Sequence, residues 1–288
     1  MEQVKTAIDG KTKLCGLIGN PVEHTISPML HHVMADACGI NLAYLPFLVE
    51  KERLGAAVEG AYALGMLGVN VTVPYKKDVI PFLKEVDPMA AAMESVNTLV
   101  RTEGGYKGYN TDMSGLYRAM REDRVFLSDE EVIVLGAGGV GRAVAYLCVA
   151  KGAKKVYLLN RSVEKACQAA EEVNARCNSS CVLGLELAGW KELPEQKYLC
   201  IQATSVGLFP DCDRAAIEEE AFYRKIHTGY DLIYRPAETK FMRLCKEAGA
   251  RCFNGLKMLV YQGVEAFELW NGVTVSAEAL IRVFDLLS

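Results

Sequence analysis

The sequence has little that points to metal, membrane or nucleic-acid chemistry. Its ten cysteines include no CxxC pair and no Cys/His cluster of zinc spacing, so we expect no metal site. No stretch approaches the roughly 20 apolar residues that cross a bilayer, and the first residues lack the apolar segment of a signal peptide. With 32 basic and 36 acidic side chains there is no positive field for nucleic acid. We therefore expect a cytoplasmic protein with reduced thiols and no nucleic-acid or membrane partner.

The chain is long enough for two ordinary domains, and it has no internal repeat or proline-rich linker. Its 288 residues are 51% hydrophobic and 24% charged, a balance typical of globular proteins. The paired histidines His31 and His32 fall in a predicted helix without other ligands nearby, so we expect them to face the core or solvent rather than a metal.

The first half of the chain alternates apolar runs with helical patterns, which predicts a βαβαβ unit. A hairpin then follows around Gly104-Gly105, and after it a helix that we expect Thr111 or Asp112 to cap. For the first helix we expect Ser27 to be the cap, with Pro28 in the first turn. The predicted strands are 13–19, 44–49, 68–74, 96–100 and 106–109, and the predicted helices are 27–38, 51–64 and one from 111 that ends in 121–124.

The second half predicts a similar alternation. The predicted strands are 132–135, 156–159, 198–202 and 230–233, with helices over 142–151, from Ser162, and through most of 255–287. Short connections between strands and helices imply right-handed crossovers and a parallel sheet in each half. The expected fold class is α/β, with two domains.

A glycine-rich turn identifies a dinucleotide site in the second half. The segment Gly136-Ala137-Gly138-Gly139-Val140-Gly141 follows a predicted strand and opens a predicted helix, the context in which GxGxxG binds a pyrophosphate. Free backbone amides at the positive end of the helix dipole stabilise that anion without a lysine. The alternative is an ordinary tight turn.

The end of the next strand favours NADP over NAD. An NAD site places a carboxylate about 20 residues on, against the ribose 2′-hydroxyl, whereas this strand ends in Asn160-Arg161-Ser162. Arg161 can hold a 2′-phosphate with its planar fork, and Ser162 and Lys165 add donors. The alternative is that Ser162 only caps its helix while Arg161 and Lys165 are solvated.

A lysine and an aspartate form a candidate catalytic pair in the first half. Lys76 lies just beyond the carboxyl end of the valine-rich strand that carries Asn70 and Thr72, where open α/β sheets bind ligands. Asp112 lies at a helix start, after the polar step Asn97-Thr98. The alternatives are a solvated Lys76 and an Asp112 that serves as a helix cap.

Together these motifs resemble the shikimate dehydrogenase family, in order and over nearly the whole chain. The segments that carry the resemblance are GNPVEHTISP (19–28), NVTVPYK (70–76), VNT (96–98), the glycine turn, NRS (160–162), ATSVG (203–207), DLIY (231–234) and GLKMLVYQ (255–262). The resemblance implies an N-terminal substrate domain over 1–116, a Rossmann-type NADP domain with a mainly parallel sheet over 117–254, and helices over 255–288 that return to the substrate domain. The two domains would flank a cleft.

The resemblance also implies roles for individual residues. Lys76 and Asp112 would carry catalysis in the NADPH-dependent reduction of a small polyhydroxylated cyclohexene carboxylate. The implied substrate residues are Ser27, Thr72, Asn97, Asp112 and Gln262, with Tyr234 nearby, Asn70 in support, and Thr25 in place of the serine that usually leads a Ser-x-Ser pair. The residues implied to border the nicotinamide are Thr204, Leu232, Gly255 and Met258.

Two departures from the family pattern affect these expectations. The extra methyl of Thr25 narrows the pocket and bears on the choice between shikimate and quinate, while Gln202 stands where the family commonly has Asn, so the loop after it is expected to sit differently. Rival interpretations are a quinate dehydrogenase using either nicotinamide, an NADP-binding homologue without catalysis, and a methylene-tetrahydrofolate dehydrogenase, whose pattern fits poorly. The sequence leaves monomer and homodimer open.

Overall fold

The computed structural model describes residues 8–287, which fold into two compact units. One unit comprises the chain up to Gly115 together with the residues from Val260 onward, and the other comprises Leu116–Leu259. Each unit contains its own six-stranded sheet, and the predicted α/β class is confirmed. Among residues 8–287, no helix is long and apolar enough to cross a membrane.

The sheet of the first unit is mixed. Its strands are β1 (Lys13–Gly19), β2 (Leu42–Leu48), β3 (Gly68–Val71), β4 (Glu85–Val86), β5 (Thr98–Thr102) and β6 (Gly105–Tyr109), in the order β2-β1-β3-β5-β6-β4. The expectation of a parallel sheet in this half is wrong, because β5 runs antiparallel to both β3 and β6. Gly104 and Gly105, with φ of 79° and 155°, form the predicted hairpin turn, which reverses the chain without a crossover helix.

Two of the predicted helix caps in this unit are wrong. The helices are α1 (Ser27–Ala37), α2 (Leu54–Ala63), α3 (Pro88–Met93) and α4 (Thr111–Glu122). Ile26 is the N-cap residue of α1, and Ser27 is already helical because its hydroxyl pairs with Thr25 instead. At α4 it is Asn110 Oδ1 that accepts from the amide of Met113, at 3.2 Å, which leaves the side chains of the first helical residues available for other contacts.

The second unit has the predicted Rossmann-type architecture. All strands of its sheet are parallel: β7 (Glu131–Leu135), β8 (Lys155–Asn160), β9 (Val182–Glu186), β10 (Tyr198–Gln202), β11 (Ile226–Asp231) and β12 (Arg251–Phe253). The order β12-β11-β10-β7-β8-β9 reverses direction between β7 and β10. Dinucleotides bind outside the carboxyl ends of the strands at such a switch point.

The helices of the second unit complete this architecture. They are α5 (Gly139–Ala150), α6 (Val163–Cys177), α7 (Glu220–Arg224) and α8 (Lys240–Glu247). The first of them begins three residues before the predicted start at Arg142, directly inside the glycine turn, while β11 starts four residues before the predicted Tyr230 and ends two before Ile233. The backbone amides of the glycine turn therefore form the first turn of a helix.

The last helices are α9 (Leu256–Asn271) and α10 (Ala277–Leu287). Trp270 of α9 packs against the first sheet: a Cβ on Gly68 would come within 1.9 Å of the Trp270 Nε1 atom. The same Nε1 donates a hydrogen bond to Leu99 O at 2.9 Å. Only glycine at position 68 allows the indole to approach this closely, so α9 forms part of the first unit's core.

Candidate active site

The predicted catalytic pair comes together in the first unit. Lys76 Nζ lies 2.7 Å from Asp112 Oδ2, although 36 positions separate the two residues. Their side chains are 32% and 20% exposed, so the ion pair is accessible but partly desolvated. The strand β3 ends at Val71, three residues before the predicted end at Pro74, and the turn after it carries Lys76 to where its carbonyl accepts from Val96 N at 2.7 Å.

Asn97 fixes the start of α4 and thereby the position of Asp112. Its Oδ1 accepts from the amide of Thr111 at 2.7 Å and from the hydroxyl of Thr98 at 3.1 Å, and its Nδ2 donates to the Thr111 hydroxyl at 3.1 Å. All three residues are buried. Because a buried amide with several partners has one favoured orientation, the backbone of residue 111 is held in place directly before the carboxylate.

Asn70 extends this network toward the second strand of the sheet. Its Nδ2 donates to Asn97 O at 3.2 Å and to Thr98 Oγ1 at 3.1 Å, and its Oδ1 accepts from the Tyr44 hydroxyl at 2.8 Å. Asn70 is buried, with 5% of its surface exposed, and its role in supporting the substrate pocket stays a prediction. Sequence reasoning missed Tyr44, which has no local motif and reaches the network only because β2 pairs with β1.

The two hydroxyls predicted to hold the substrate carboxylate lie side by side. Thr25 Oγ1 and Ser27 Oγ are 3.1 Å apart, and the backbone amide of Ser27 donates to Thr25 Oγ1 at 3.2 Å. Tyr44 also hydrogen bonds to the Ser27 side chain. Both residues are half-buried, and they are linked through Tyr44 to the Asn70 network. Whether they bind a carboxylate stays a prediction.

A buried histidine packs against the same network. The His31 ring stacks on Tyr44 with ring centroids 4.2 Å apart, and its buried Nδ1 has no hydrogen-bond partner among the described residues. Burial lowers the pKa of His31 to about 3, so the ring is neutral at physiological pH. His31 thus faces the core, one of the two positions expected for it. Among the described residues, no group of three or more His, Cys, Asp or Glu side chains could hold a metal ion.

The remaining predicted substrate residues occupy different places. Thr72 packs its methyl on Gly19, where a Cβ would come within 2.3 Å of it, and the backbone of Gln262 lies on Gly115, where a Cβ would come within 2.5 Å of the Gln262 amide. Both belong to the first unit. Tyr234, 39% exposed, follows β11 in the second unit, and its approach to the substrate stays a prediction.

The glycine turn of the second unit has the shape that a pyrophosphate requires. Gly138 and Gly139 are exposed, and a Cβ on either would meet nothing within 4 Å. A Cβ on Gly141, in contrast, would lie 1.8 Å from Gly136 O, so only glycine permits the contact between turn and helix. The exposed amides at the start of α5 therefore fit an anion, with Ala137 and Val140 on either side of the two open glycines.

The end of β8 supports the turn and presents the predicted phosphate contacts. Asn160 Oδ1 accepts from Ala137 N at 3.3 Å, and Asn160 Nδ2 donates to Ser162 O at 3.0 Å. Arg161 and Lys165 are exposed, as a site for a 2′-phosphate requires. Asn160 therefore joins the glycine turn to the segment that would read the ribose substituent.

Ser162 does cap α6, and its hydroxyl also donates a hydrogen bond to Glu164, a residue that sequence reasoning missed. Its Oγ accepts from Lys165 N at 3.3 Å and donates to Glu164 Oε2 at 2.7 Å. This hydrogen bond holds the pKa of Glu164 below its usual range. Glu164 stands two residues after Ser162, so the sequence did offer a carboxylate near the ribose position, slightly later than the expected strand end.

The residues expected to border the nicotinamide gather at the carboxyl ends of the parallel strands. A Cβ on Gly136 would lie 2.8 Å from Thr204 Cγ2, and a Cβ on Gly255 would lie 2.2 Å from Leu232 O. Met258 is half-buried in the first turn of α9. The segments after β10 and β11 thus adjoin the glycine turn and the start of α9, respectively.

A parallel doubly wound sheet with this glycine turn, and a unit that presents a Lys–Asp pair, define a two-domain dehydrogenase that uses a nicotinamide dinucleotide. Family models match three segments: the shikimate dehydrogenase substrate binding domain over residues 17–99, the shikimate/quinate 5-dehydrogenase over 120–187, and the shikimate 5-dehydrogenase C-terminal domain over 255–283.

Full-length relatives agree with these matches. The NADP⁺ shikimate dehydrogenase of Desulforamulus reducens is 41% identical over 280 residues, which cover 96% of each chain. A solved shikimate dehydrogenase in complex with NADP⁺ superposes with a TM-score of 0.87 at 34% identity over 100% of both chains. The enzyme from Listeria monocytogenes, solved with shikimate and NAD, gives 0.90 at 27% identity over 98% of both. The chain belongs to the shikimate dehydrogenase family.

Proposed function

We propose that this protein is a shikimate dehydrogenase, which reversibly reduces 3-dehydroshikimate to shikimate with NADPH. The observation that carries the proposal is the ion pair of Lys76 and Asp112, 2.7 Å long and partly exposed, within a unit where Asn70 and Asn97 belong to one buried hydrogen-bond network. The family relationship and the NADP⁺ named for its relatives support the choice of reaction.

The chain's own residues supply proton transfer and orientation. Bound NADPH provides the hydride that reaches the ring carbonyl carbon. As negative charge develops on the carbonyl oxygen, the Lys76 ammonium donates the proton that completes the hydroxyl group, and Asp112 holds that ammonium in place. Thr25 and Ser27 bind the substrate carboxylate, while Asn97 keeps the start of α4 in position.

The nucleotide end fits NADP through charge and backbone geometry. The two open glycines and the α5 amides hold the pyrophosphate, and Arg161 with Lys165 binds the 2′-phosphate. We assign the substrate-binding role to residues 1–116, the NADP-binding role to 117–254, and the closing helices to 255–288. The protein acts on small molecules in the cytoplasm, as a monomer or homodimer.

One observation favours a second candidate, a quinate/shikimate dehydrogenase that accepts either nicotinamide. Glu164 bonds to the Ser162 hydroxyl at 2.7 Å, and a carboxylate near this position can accept from the ribose 2′-hydroxyl of NAD. The same carboxylate repels a 2′-phosphate. Glu164→Gln is therefore expected to increase the preference for NADP⁺ over NAD⁺, measured as the ratio of the two kcat/KM values.

The deciding experiment is a set of four rates: reduction of NADP⁺ and of NAD⁺ with shikimate and with quinate. Shikimate with NADP⁺ should give the highest kcat/KM. Comparable rates with quinate and NAD⁺ would support the second candidate. Binding of NADPH without turnover of either substrate would identify an NADP-binding homologue without catalysis and refute the proposal.

A further inference from the structure

The side chain of Gln202, at the end of β10, takes part in several hydrogen bonds. It is 1% exposed, and its Oε1 accepts from both the amide and the hydroxyl of Thr204, at 2.6 and 2.7 Å. Its Nε2 donates to Val206 O at 3.1 Å and to Thr204 O at 3.3 Å. A single buried amide therefore fixes the turn that follows the strand.

The same amide is tied to the next strand. Gln202 Nε2 lies 3.5 Å from Asp231 Oδ1, which also accepts from Ile233 N at 2.9 Å, while Asp231 Oδ2 accepts from the Thr239 hydroxyl at 2.6 Å. The backbone carbonyl of Gln202 accepts from Leu232 N at 3.0 Å. Gln202 and Asp231 thus fix the positions of the segments that follow β10 and β11 relative to each other.

The segment that follows β10 adjoins the glycine turn. The Thr204 methyl packs where a Cβ on Gly136 would lie, at 2.8 Å, and Ala203 O is 3.3 Å from the same point. Displacing Thr204 would therefore move a wall of the nucleotide site without touching the exposed amides of Gly138 and Gly139. Thr204 and Leu232 are predicted to border the nicotinamide, whereas nothing lies within 4 Å of a Cβ placed on Gly138 or Gly139, so the expected disturbance falls on the nicotinamide end.

We propose that Gln202 is a positioning residue for hydride transfer, which acts through Thr204 and Leu232 to set the geometry of the nicotinamide end. This inference rests on the proposed function, since it presumes that a nicotinamide reacts there. An asparagine at position 202 is shorter by one methylene, about 1.5 Å, and cannot make the Thr204 and Val206 contacts together. The Gln202 side chain thus has the length that is needed to contact Thr204 and Val206 together.

The test replaces Gln202 with Leu, which keeps the approximate volume and removes every hydrogen bond of the side chain. Turnover with shikimate and NADP⁺ should fall roughly tenfold to a hundredfold, because displacement by about 1 Å is enough to disturb hydride geometry. Binding of adenosine 2′,5′-bisphosphate, a probe without nicotinamide, should stay within twofold of wild type. That split between turnover and probe binding is not expected from a general loss of structure.

Asn174→Leu is the matched control. Asn174 Nδ2 donates to Val182 O at 2.9 Å, and Val182 N donates to Asn174 Oδ1 at 3.1 Å, on the edge strand β9 of the same sheet. Its loss should lower the Tm and leave kcat unchanged. If Gln202→Leu does not fold, Gln202→Asn keeps the amide and should show a smaller fall in kcat with the same unchanged probe binding.

The outcomes separate the inference from the proposed function. Wild-type kcat in Gln202→Leu, or in Gln202→Asn where only that variant folds, would overturn the positioning role and leave the function intact. An equal fall in the Asn174→Leu control would also overturn it. Wild-type protein that turns over neither shikimate nor quinate with either coenzyme would overturn the proposed function itself.

Discussion

The two units build their candidate binding regions by different means. In the first unit, polar side chains such as Asn70 and Asn97 are buried and bond to one another, so each candidate substrate residue depends on its neighbours. In the second unit, the nucleotide end is formed by exposed glycine amides and the exposed side chains of Arg161 and Lys165. Under the proposed function, side-chain networks would position the substrate, whereas backbone shape and surface charge would position the nucleotide.

This difference predicts how each half responds to mutation. A side chain removed from the first unit leaves buried partners without hydrogen bonds, which costs about 1–3 kcal/mol for each group. A solvent-facing side chain removed from the second unit leaves water in its place, and the effect is confined to the ligand group that it contacts. The following variants are arranged from the largest expected effect on activity to the smallest.

Lys76→Ala should have the largest effect. Without its ammonium the developing alkoxide has no proton donor, and kcat should fall by roughly 10²–10⁴-fold, with a much smaller change in KM for shikimate. Steady-state kinetics provide the measurement. Lys77→Ala is the control, because that lysine pairs with Glu94 at 2.9 Å and is 67% exposed. Near-normal kcat in Lys76→Ala would remove the lysine from the mechanism.

Arg161→Ala tests the surface-charge half of the comparison. Loss of a charge-assisted contact to the 2′-phosphate should raise KM for NADPH about tenfold or more while KM for NADH stays the same. The thermal stability should not change, since the residue is exposed. Equal effects on both coenzymes would show that no 2′-phosphate is bound there.

Tyr44→Phe tests the network half. Its hydroxyl links Asn70 to Ser27, so its loss should raise KM for shikimate several-fold, about 1 kcal/mol, with kcat reduced less. Tyr106→Phe is matched to it: the Tyr106 hydroxyl is also buried in this unit but donates to Met66 O at 2.9 Å. If both variants changed KM equally, the effect would come from general loosening of the sheet.

His31→Leu should change stability against pH and leave activity near neutral pH almost unaffected. Burial lowers the pKa of His31 to about 3, against 6.5 when exposed, so the unfolded chain binds more protons between these values. The free energy of unfolding therefore falls by up to about 1.4 kcal/mol for each pH unit as the pH is lowered from 6.5 toward 3. Tm measured at pH 7 and pH 5 should fall less in His31→Leu than in wild type; an equal fall would contradict this assignment.

The parallel sheet and the glycine turn of the second unit were predicted for a physical reason, although its strands β9 and β12 and its helices α7 and α8 were not predicted. The strand Tyr198–Gln202 was predicted at both ends, and the glycine turn was recognised from six consecutive residues, because both signals are local. Glu164 was also visible locally but fell outside the position at which a carboxylate was expected. Arg161 and Lys165 follow the same strand closely in sequence, so their shared location needed no tertiary information.

The network of the first unit could not be predicted in this way. Lys76 and Asp112 were paired by their places at strand and helix ends, but Tyr44 lies 26 positions from Asn70 and meets it only through sheet pairing. The hairpin of β5 and β6 was predicted, but the antiparallel pairing of β5 with β3 was not. The cap at Asn110 was missed because the Asn97 contacts that hold Thr111 come from a distant part of the chain. The approach of Gln202 to Asp231 likewise depends on the pairing of β10 with β11, whereas its contacts with Thr204 and Val206 are local.

The indole of Trp270 on Gly68 has a consequence for biosynthesis. About 200 residues separate the two positions, so a ribosome that has released the strands of the first sheet must still translate the entire nucleotide unit before the indole emerges. Until then the backbone around Gly68 and the carbonyl of Leu99 lack their cover. The second unit is contiguous in sequence and can fold during translation. The first unit cannot complete its core until Trp270 has been translated, and until then it has an exposed sheet that chaperones are suited to shield.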